Sequence, residues 1–228
     1  ALHELESFSY AVSHDLRAPL RSIEGFSRAL LEDYKDRLDT TGRDYLNRAA
    51  GSARRMSVLI DDLLRLSQVT RCEVERGQVD LSELARAAAQ EVAAAYPERQ
   101  VRLEVRDGIT AHGDSRLLRI ALENLLDNAW KFTARTADAT VQLGVLEQEA
   151  DPRIYFLRDN GAGFDMALAG KLFAPFRRLH SESEFPGTGI GLATVRRIVR
   201  RHGGRIWAEA RPGAGATFFW TLAERPAL

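Results

Sequence analysis

Apolar residues recur at alternating spacings of three and four from the start of the chain: Leu2, Leu5, Val12, Leu16, Ile23, Phe26 and Leu30, with Ser9 and Pro19 filling the other register positions. A stripe of this kind commits the segment to a helix that buries one seam in a coiled coil or bundle. Pro19 lies on that seam, where it cannot donate to the carbonyl of Asp15, so the helix is expected to bend. His14 stands two positions past Val12, off the seam, and its ring should project sideways with Asp15 beside it. A histidine next to a carboxylate at a bend in a bundle helix reads as a nucleophile.

Residues 1 to about 34 therefore form one long helix, and Lys35 to Gly42 a polar connection. A second helix, from about 43 to 70, has its own stripe in Leu46, Ala49, Ala53, Met56, Ile60 and Leu63. A lone hairpin cannot bury both stripes, so two chains are expected to pair into a four-helix bundle. The chain opens in mid-heptad without a methionine, which is expected of a fragment whose first helix continued upstream.

Beyond residues 71–80 the pattern becomes mixed, and the division is expected between a hairpin at 1–75 and a second domain at 76–228. Asp80 or Ser82 can cap a helix from 81 to about 95, ended by Tyr96 and Pro97. A second helix is expected from Ser115 to Phe132 and a third from Leu192 to His202. Strands are expected at 101–105, 140–146, 153–158, 204–210 and 216–222. The fold class is thus α and α+β in two domains: an antiparallel hairpin followed by a two-layer α/β sandwich with a mixed sheet.

Composition removes several functions. Thirty-two acidic and 32 basic residues balance, so no global field recruits nucleic acid. The arginines at 196, 197, 200, 201 and 205 read as a solvated helix face. The single cysteine, Cys72, excludes an internal disulfide and a cysteine metal site and suits a reducing, cytoplasmic setting. No segment is long and apolar enough to span a membrane.

Four short elements of the second domain point to a nucleotide. Asn124, Asn128 and Lys131 share one helix face at i, i+4 and i+7. Their amide oxygens are neutral hard ligands suited to Mg²⁺ when a triphosphate supplies the anionic oxygens, and the lysine can neutralise phosphate. Asp159, at a strand end before Gly161 and Gly163, can accept from an exocyclic amine such as adenine's, with backbone brought close by the glycines. Phe173 and Phe176 form an aromatic pair able to anchor a mobile segment. Gly187, Thr188, Gly189, Gly191 and Leu192 form a glycine-rich turn that opens a helix, where backbone amides favour phosphate. Neither a Walker nor a Rossmann spacing is present.

In this order the motifs resemble the transmitter core of two-component sensor histidine kinases, and the resemblance covers nearly all of the chain. Ser13 to Leu20 is similar to that family's H-box, Asn124 to Thr133 to its N-box, Asp159 to Gly163 to its G1 box, Phe173 to Phe176 to its F-box and Gly187 to Leu192 to its G2 box. The resemblance implies a dimerising phosphoacceptor hairpin and a Bergerat-type ATP-binding domain. It implies that His14 is phosphorylated, that Asn128 chelates Mg²⁺, that Asp159 binds adenine and that residues from roughly 166 to 187 form a lid over ATP. Asp15 would orient His14, while Lys131 and Arg178 would offset charge on the transferring phosphoryl group. Thr188 and the Gly189 amide would contact phosphate.

The expected partners are a second copy of the chain, the receiver domain of a response regulator, and a sensor domain upstream in the same parent chain. The H-box wording resembles the phytochrome-like and PAS-linked branch. Many relatives carry threonine or asparagine four residues after the histidine to orient water, whereas this chain has Ala18, so weak regulator phosphatase activity is expected. Two other functions share parts of this pattern. ATP-hydrolysing relatives of this nucleotide fold place a glutamate base where this chain has Asn124, and Glu123 lies about 100 degrees away around the helix. A relay module that binds nucleotide without catalysis would retain the same motifs.

Overall fold

The computed structural model describes residues 2–146, 152–181 and 184–223, with side chains from Leu16 onward. The chain divides into two compact units, residues 1–68 and 69–228.

In the first unit, helix α1 (Leu2–Asp33) and helix α2 (Thr40–Arg71) are joined by a short connection, and α1 continues unbroken through Pro19. Asp39 starts α2 by accepting from the Gly42 amide at 2.7 Å. The helices run antiparallel, as the ion pair from Arg17 to Asp61 at 2.5 Å requires, since it joins the first half of α1 to the second half of α2. Among the described residues of this unit, Leu20, Ser27, Ala53 and Leu64 are buried. The stripe read from the sequence is largely not the one buried within the chain. Leu16, Ile23, Phe26 and Leu30 on α1, and Met56 and Leu63 on α2, are exposed, with Phe26 reaching 73%. The physical reason is that each helix carries adjacent apolar stripes, and the short connection spends only the inner one on the partner helix. His14 and Asp15 lie on α1, but their side chains fall outside the described residues.

The second unit is built on a five-stranded sheet, in which strands β2 (Arg102–Val105), β4 (Thr140–Leu146), β5 (Ile154–Asp159), β7 (Ala216–Thr221) and β6 (Ile206–Ala210) lie in that spatial order. The β2–β4 pair is parallel and the other three are antiparallel, which makes the sheet mixed as expected. Helices α3 (Leu81–Ala95), α4 (Ser115–Phe132) and α5 (Gly191–Arg201) form the second layer. Leu122, Leu125 and Leu126 of α4 and Val195 and Ile198 of α5 meet Val141, Leu143, Leu157, Phe218 and Trp220 of the sheet in one apolar core.

The helix ends follow from local chemistry. Asp80 caps α3 through the Glu83 amide, and Asp114 caps α4 through the amides of Arg116 and Leu117. Two four-residue strands, β1 (Gly77–Asp80) and β3 (Thr110–Gly113), were not expected from the sequence. They pair antiparallel from Gly77 opposite Gly113 to Asp80 opposite Thr110. Their turn-forming residues mask them, and only pairing makes them strands. A 3₁₀ turn, Met166–Lys171, was likewise unforeseen.

Candidate functional site

The site is organised by α4. Its apolar positions, Leu118, Leu122, Leu125 and Ala129 among them, fix one face in the core. Asn124, Asn128 and Lys131 therefore share another. Lys131 Nζ donates to Asn128 Oδ1 at 3.0 Å, and Asn124 Nδ2 donates to the Ile120 carbonyl at 2.7 Å. Glu123 is held by Arg119 at 2.9 Å, a turn away on the same helix.

The glycine-rich turn closes onto this face. A Cβ on Gly191 would lie 2.6 Å from Asn124 Oδ1, and one on Gly187 would lie 3.1 Å from Lys131 Nζ. Gly189 has φ of +76° and passes 2.8 Å, measured from its own absent Cβ, from the Arg177 carbonyl. Its carbonyl accepts from the Phe176 amide at 3.0 Å. No side chain caps α5, whose N-cap is Ile190; Thr188 Oγ1 lies 3.4 Å from the Ile190 amide, and Leu192 is half-buried on the first turn.

Asp159 ends β5 almost fully buried and accepts from the Gly161 amide at 2.9 Å. Burial pushes its carboxyl up to about 6, against the opposing effect of the Gly161 and Ala216 amides. The turn after it is pressed onto α4, where the Ala162 amide donates to the Phe132 carbonyl at 3.0 Å. Gly163 has φ of +59°, and a Cβ there would fall 2.0 Å from the Arg211 carbonyl.

The aromatic anchor differs from the expected one. Phe173 packs against the core, whereas Phe176 is exposed with φ of +61°, so the two do not act as a pair. The segment is held instead by Phe185, which is buried, and by His180. Their ring centroids lie 5.0 and 5.3 Å from that of Phe132 and 5.2 Å from each other. His180 Nε2 also lies 2.9 Å from the Gly163 carbonyl. Sequence reasoning missed all three residues; the one signal was a lone aromatic before Pro186 and Gly187 in a polar stretch. Arg178 is exposed and donates to the Phe185 carbonyl at 2.7 Å, so it braces its own segment.

Among the described residues no cluster of three histidines, cysteines or carboxylates is arranged to hold a metal. The polar groups on the α4 face are neutral amides and one ammonium, so a cation there needs anionic oxygens from a bound ligand. The donor set fits a metal that arrives with a triphosphate.

Two family models divide the chain between them. Residues 4–71 match the His Kinase A phospho-acceptor domain, and residues 113–226 match the histidine kinase-, DNA gyrase B- and HSP90-like ATPase model. The chain belongs to the histidine kinase family. This kinase chain is 34% identical over 221 residues to cyanobacterial phytochrome B of Nostoc sp., a match covering 96% of the chain and 29% of that protein. It is 34% identical over 222 residues to the sensor histidine kinase TrcS of Mycobacterium tuberculosis, covering 94% of the chain and 43% of TrcS. The chain thus spans under a third of the phytochromes it matches. Among solved structures, full-length ShkA in complex with AMPPNP superposes with a TM-score of 0.67 at 24% identity, over 97% of this chain and 47% of that one. That likeness is one of fold. The mycobacterial sensor histidine kinase MprB gives a TM-score of 0.56 at 25% identity, over 67% of this chain and all of that one. No helix among the described residues is long and apolar enough to cross a membrane.

Proposed function

We propose that this chain uses ATP to phosphorylate His14 and passes the phosphoryl group to an aspartate on a response-regulator receiver domain. The observation that carries this reading is the closure of the glycine-rich turn on the Asn124, Asn128 and Lys131 face, beside the buried carboxylate of Asp159. Residues 1–75 act as the dimerising phosphoacceptor hairpin and 76–228 as the ATP-binding domain.

In the transfer, an imidazole nitrogen of His14 attacks the γ-phosphorus of ATP. A P–N bond forms, the bond to the bridging oxygen breaks, and ADP leaves with the electron pair. Asp15 orients the ring and takes up the proton that its other nitrogen gives up as the P–N bond forms. Lys131 offsets phosphate charge from α4, Arg178 does so from the lid once it is released from Phe185, and Thr188 and the Gly189 amide hold the phosphates. Asp159, ionised, accepts from the adenine amine, with Gly161 and Gly163 keeping the backbone close. Asn128 would hold Mg²⁺, which when bound supplies charge neutralisation to the triphosphate. The exposed stripe of Leu16, Ile23, Phe26 and Leu30 supports pairing with a second chain, since an apolar helix face of this length is otherwise left in water. An upstream sensor in the same parent chain supplies the input, in a cytoplasmic setting that suits the single Cys72. Ala18, exposed and without a polar group, supports weak regulator phosphatase activity.

The test is incubation with Mg²⁺ and γ-labelled ATP beside His14→Gln and Asn128→Asp variants. Label that is acid-labile, alkali-stable and lost in both variants is the expected result. ATP binding without label in the wild type would favour a non-catalytic relay.

A further inference from the structure

The last carbonyls of a helix lack intrahelical amide partners, and at the end of α4 those of Trp130, Phe132 and Thr133 accept from outside the helix. Arg99, half-buried in the turn between α3 and β2, supplies two of these bonds. Its Nη1 donates to the Trp130 carbonyl at 3.0 Å, and its Nη2 to the Thr133 carbonyl at 3.0 Å and to Thr133 Oγ1 at 3.2 Å. The Arg99 amide closes its turn on the Tyr96 carbonyl at 2.9 Å, and Tyr96 Oη donates to Asp127 Oδ1 at 2.8 Å. One turn thus grips α4 from residue 127 to residue 133, the stretch that carries Asn128 and Lys131. A planar guanidinium serves both carbonyls at once, which a single ammonium does only in part.

The remaining carbonyl ties α4 to the turn after β5. That of Phe132 accepts the Ala162 amide at 3.0 Å. A Cβ on Gly161 would lie 2.5 Å from the same carbonyl oxygen and 2.9 Å from Asp159 Oδ1. Gly161 is therefore wedged between the end of α4 and the carboxylate to which its own amide donates. With no room for a side chain in the wedge, a shift of the helix end passes to Asp159. We infer that Arg99 is a positioning residue for purine recognition: by fixing the end of α4 it sets where the Asp159 carboxylate stands to accept the exocyclic amine. The inference rests on the adenine reading of Asp159 above. A cap that only stabilised the helix would, when lost, weaken every nucleotide alike. Loss of a positioning residue weakens the nucleotide whose amine is read.

The test compares wild type with Arg99→Ala and Arg99→Lys in the whole chain, with Mg²⁺ and at a pH well above the Asp159 value of about 6. Calorimetry reads affinity for the non-hydrolysable imido analogues of ATP and of ITP, whose base carries a carbonyl in place of the amine. Wild type is expected to prefer the adenine analogue by about 100-fold. In Arg99→Ala that preference should fall by about tenfold or more, with affinity for the inosine analogue within about threefold of wild type and Arg99→Lys intermediate. Should the alanine variant fail to fold, the lysine variant decides, and its preference should fall by about threefold or more. An unchanged preference overturns the inference, whether both affinities hold or both drop together. A wild type that binds the two analogues equally removes the adenine reading first, and the inference falls with it.

Discussion

Lys131 Nζ donates to Asn128 Oδ1 across one helical turn at 3.0 Å. The amide oxygen that would face a cation is therefore occupied by an ammonium, and a metal has to share or displace it. Asn128→Asp should strengthen the pairing with Lys131 while adding a charge that repels the triphosphate. ATP-dependent labelling is expected to fall by about 100-fold or more, with the melting temperature near wild type. Radiolabelling and calorimetry on the same preparation check both parts.

With Asp159 in its proposed place at adenine, its carboxyl, raised by burial from 3.8 to about 6, should make nucleotide binding pH-dependent. Adenine's amine needs the ionised form, so affinity for ATP should drop as pH falls through about 6. Stability moves the other way. Between about 4 and 6 the native state holds a proton that the unfolded chain has lost, so this group's contribution is present below 3.8 and is lost as pH rises through about 6. A shift of this size is worth about 3 kcal/mol. Asp159→Asn should not bind ATP, and its stability relative to wild type should decline as pH is lowered from 8 to 4. Denaturant titrations at both pH values measure the gap.

His202 has the opposite linkage. Burial lowers its affinity for a proton, and the ring is neutral, with Nε2 accepting the Asp114 amide and Nδ1 donating to the Ile198 carbonyl at 2.8 Å. Its folded value lies below 6.5, so its contribution is present above pH 6.5 and is lost as pH falls beneath it. His202→Gln can offer one acceptor and one donor without titrating. The variant should lose less stability than wild type between pH 7 and pH 5, as read by thermal melts.

Gly163→Ala places a Cβ 2.0 Å from the Arg211 carbonyl at a residue with φ of +59°. The left-handed backbone and the overlap with main chain together should cost about 2–4 kcal/mol. Gly170→Ala, where a Cβ meets open space, serves as the control and should leave the denaturation midpoint unchanged.

Ile23→Asp alters an exposed stripe position of the hairpin and should leave the chain folded. If that stripe is the dimer seam, sedimentation should show a monomer where the wild type is a dimer. A dimer in both would remove Ile23 from the interface.

Elements whose residues carry a period and punctuation of their own are legible in the chain before it folds. The heptads of α1, the alternation in β4 and the leucine spacing of α4 between Asp114 and Thr133 are local properties, fixed by which side chains face one way every 3.6 or two residues. The Asn124, Asn128 and Lys131 face was legible for the same reason. Other features depended on what each segment meets. The inner stripe of Leu20 and Ser27 was chosen over Leu16 and Ile23 only when α2 packed back. The strands β1 and β3 exist through each other, and Phe185 and His180 rather than the Phe173 and Phe176 pair hold their segment, because both rings pack on Phe132 and His180 reaches the Gly163 carbonyl. Arg201 read as one more charge on a solvated helix. Its hydrogen bonds to the end of α2, more than a hundred residues away, are decided by distance in space, which no local pattern encodes.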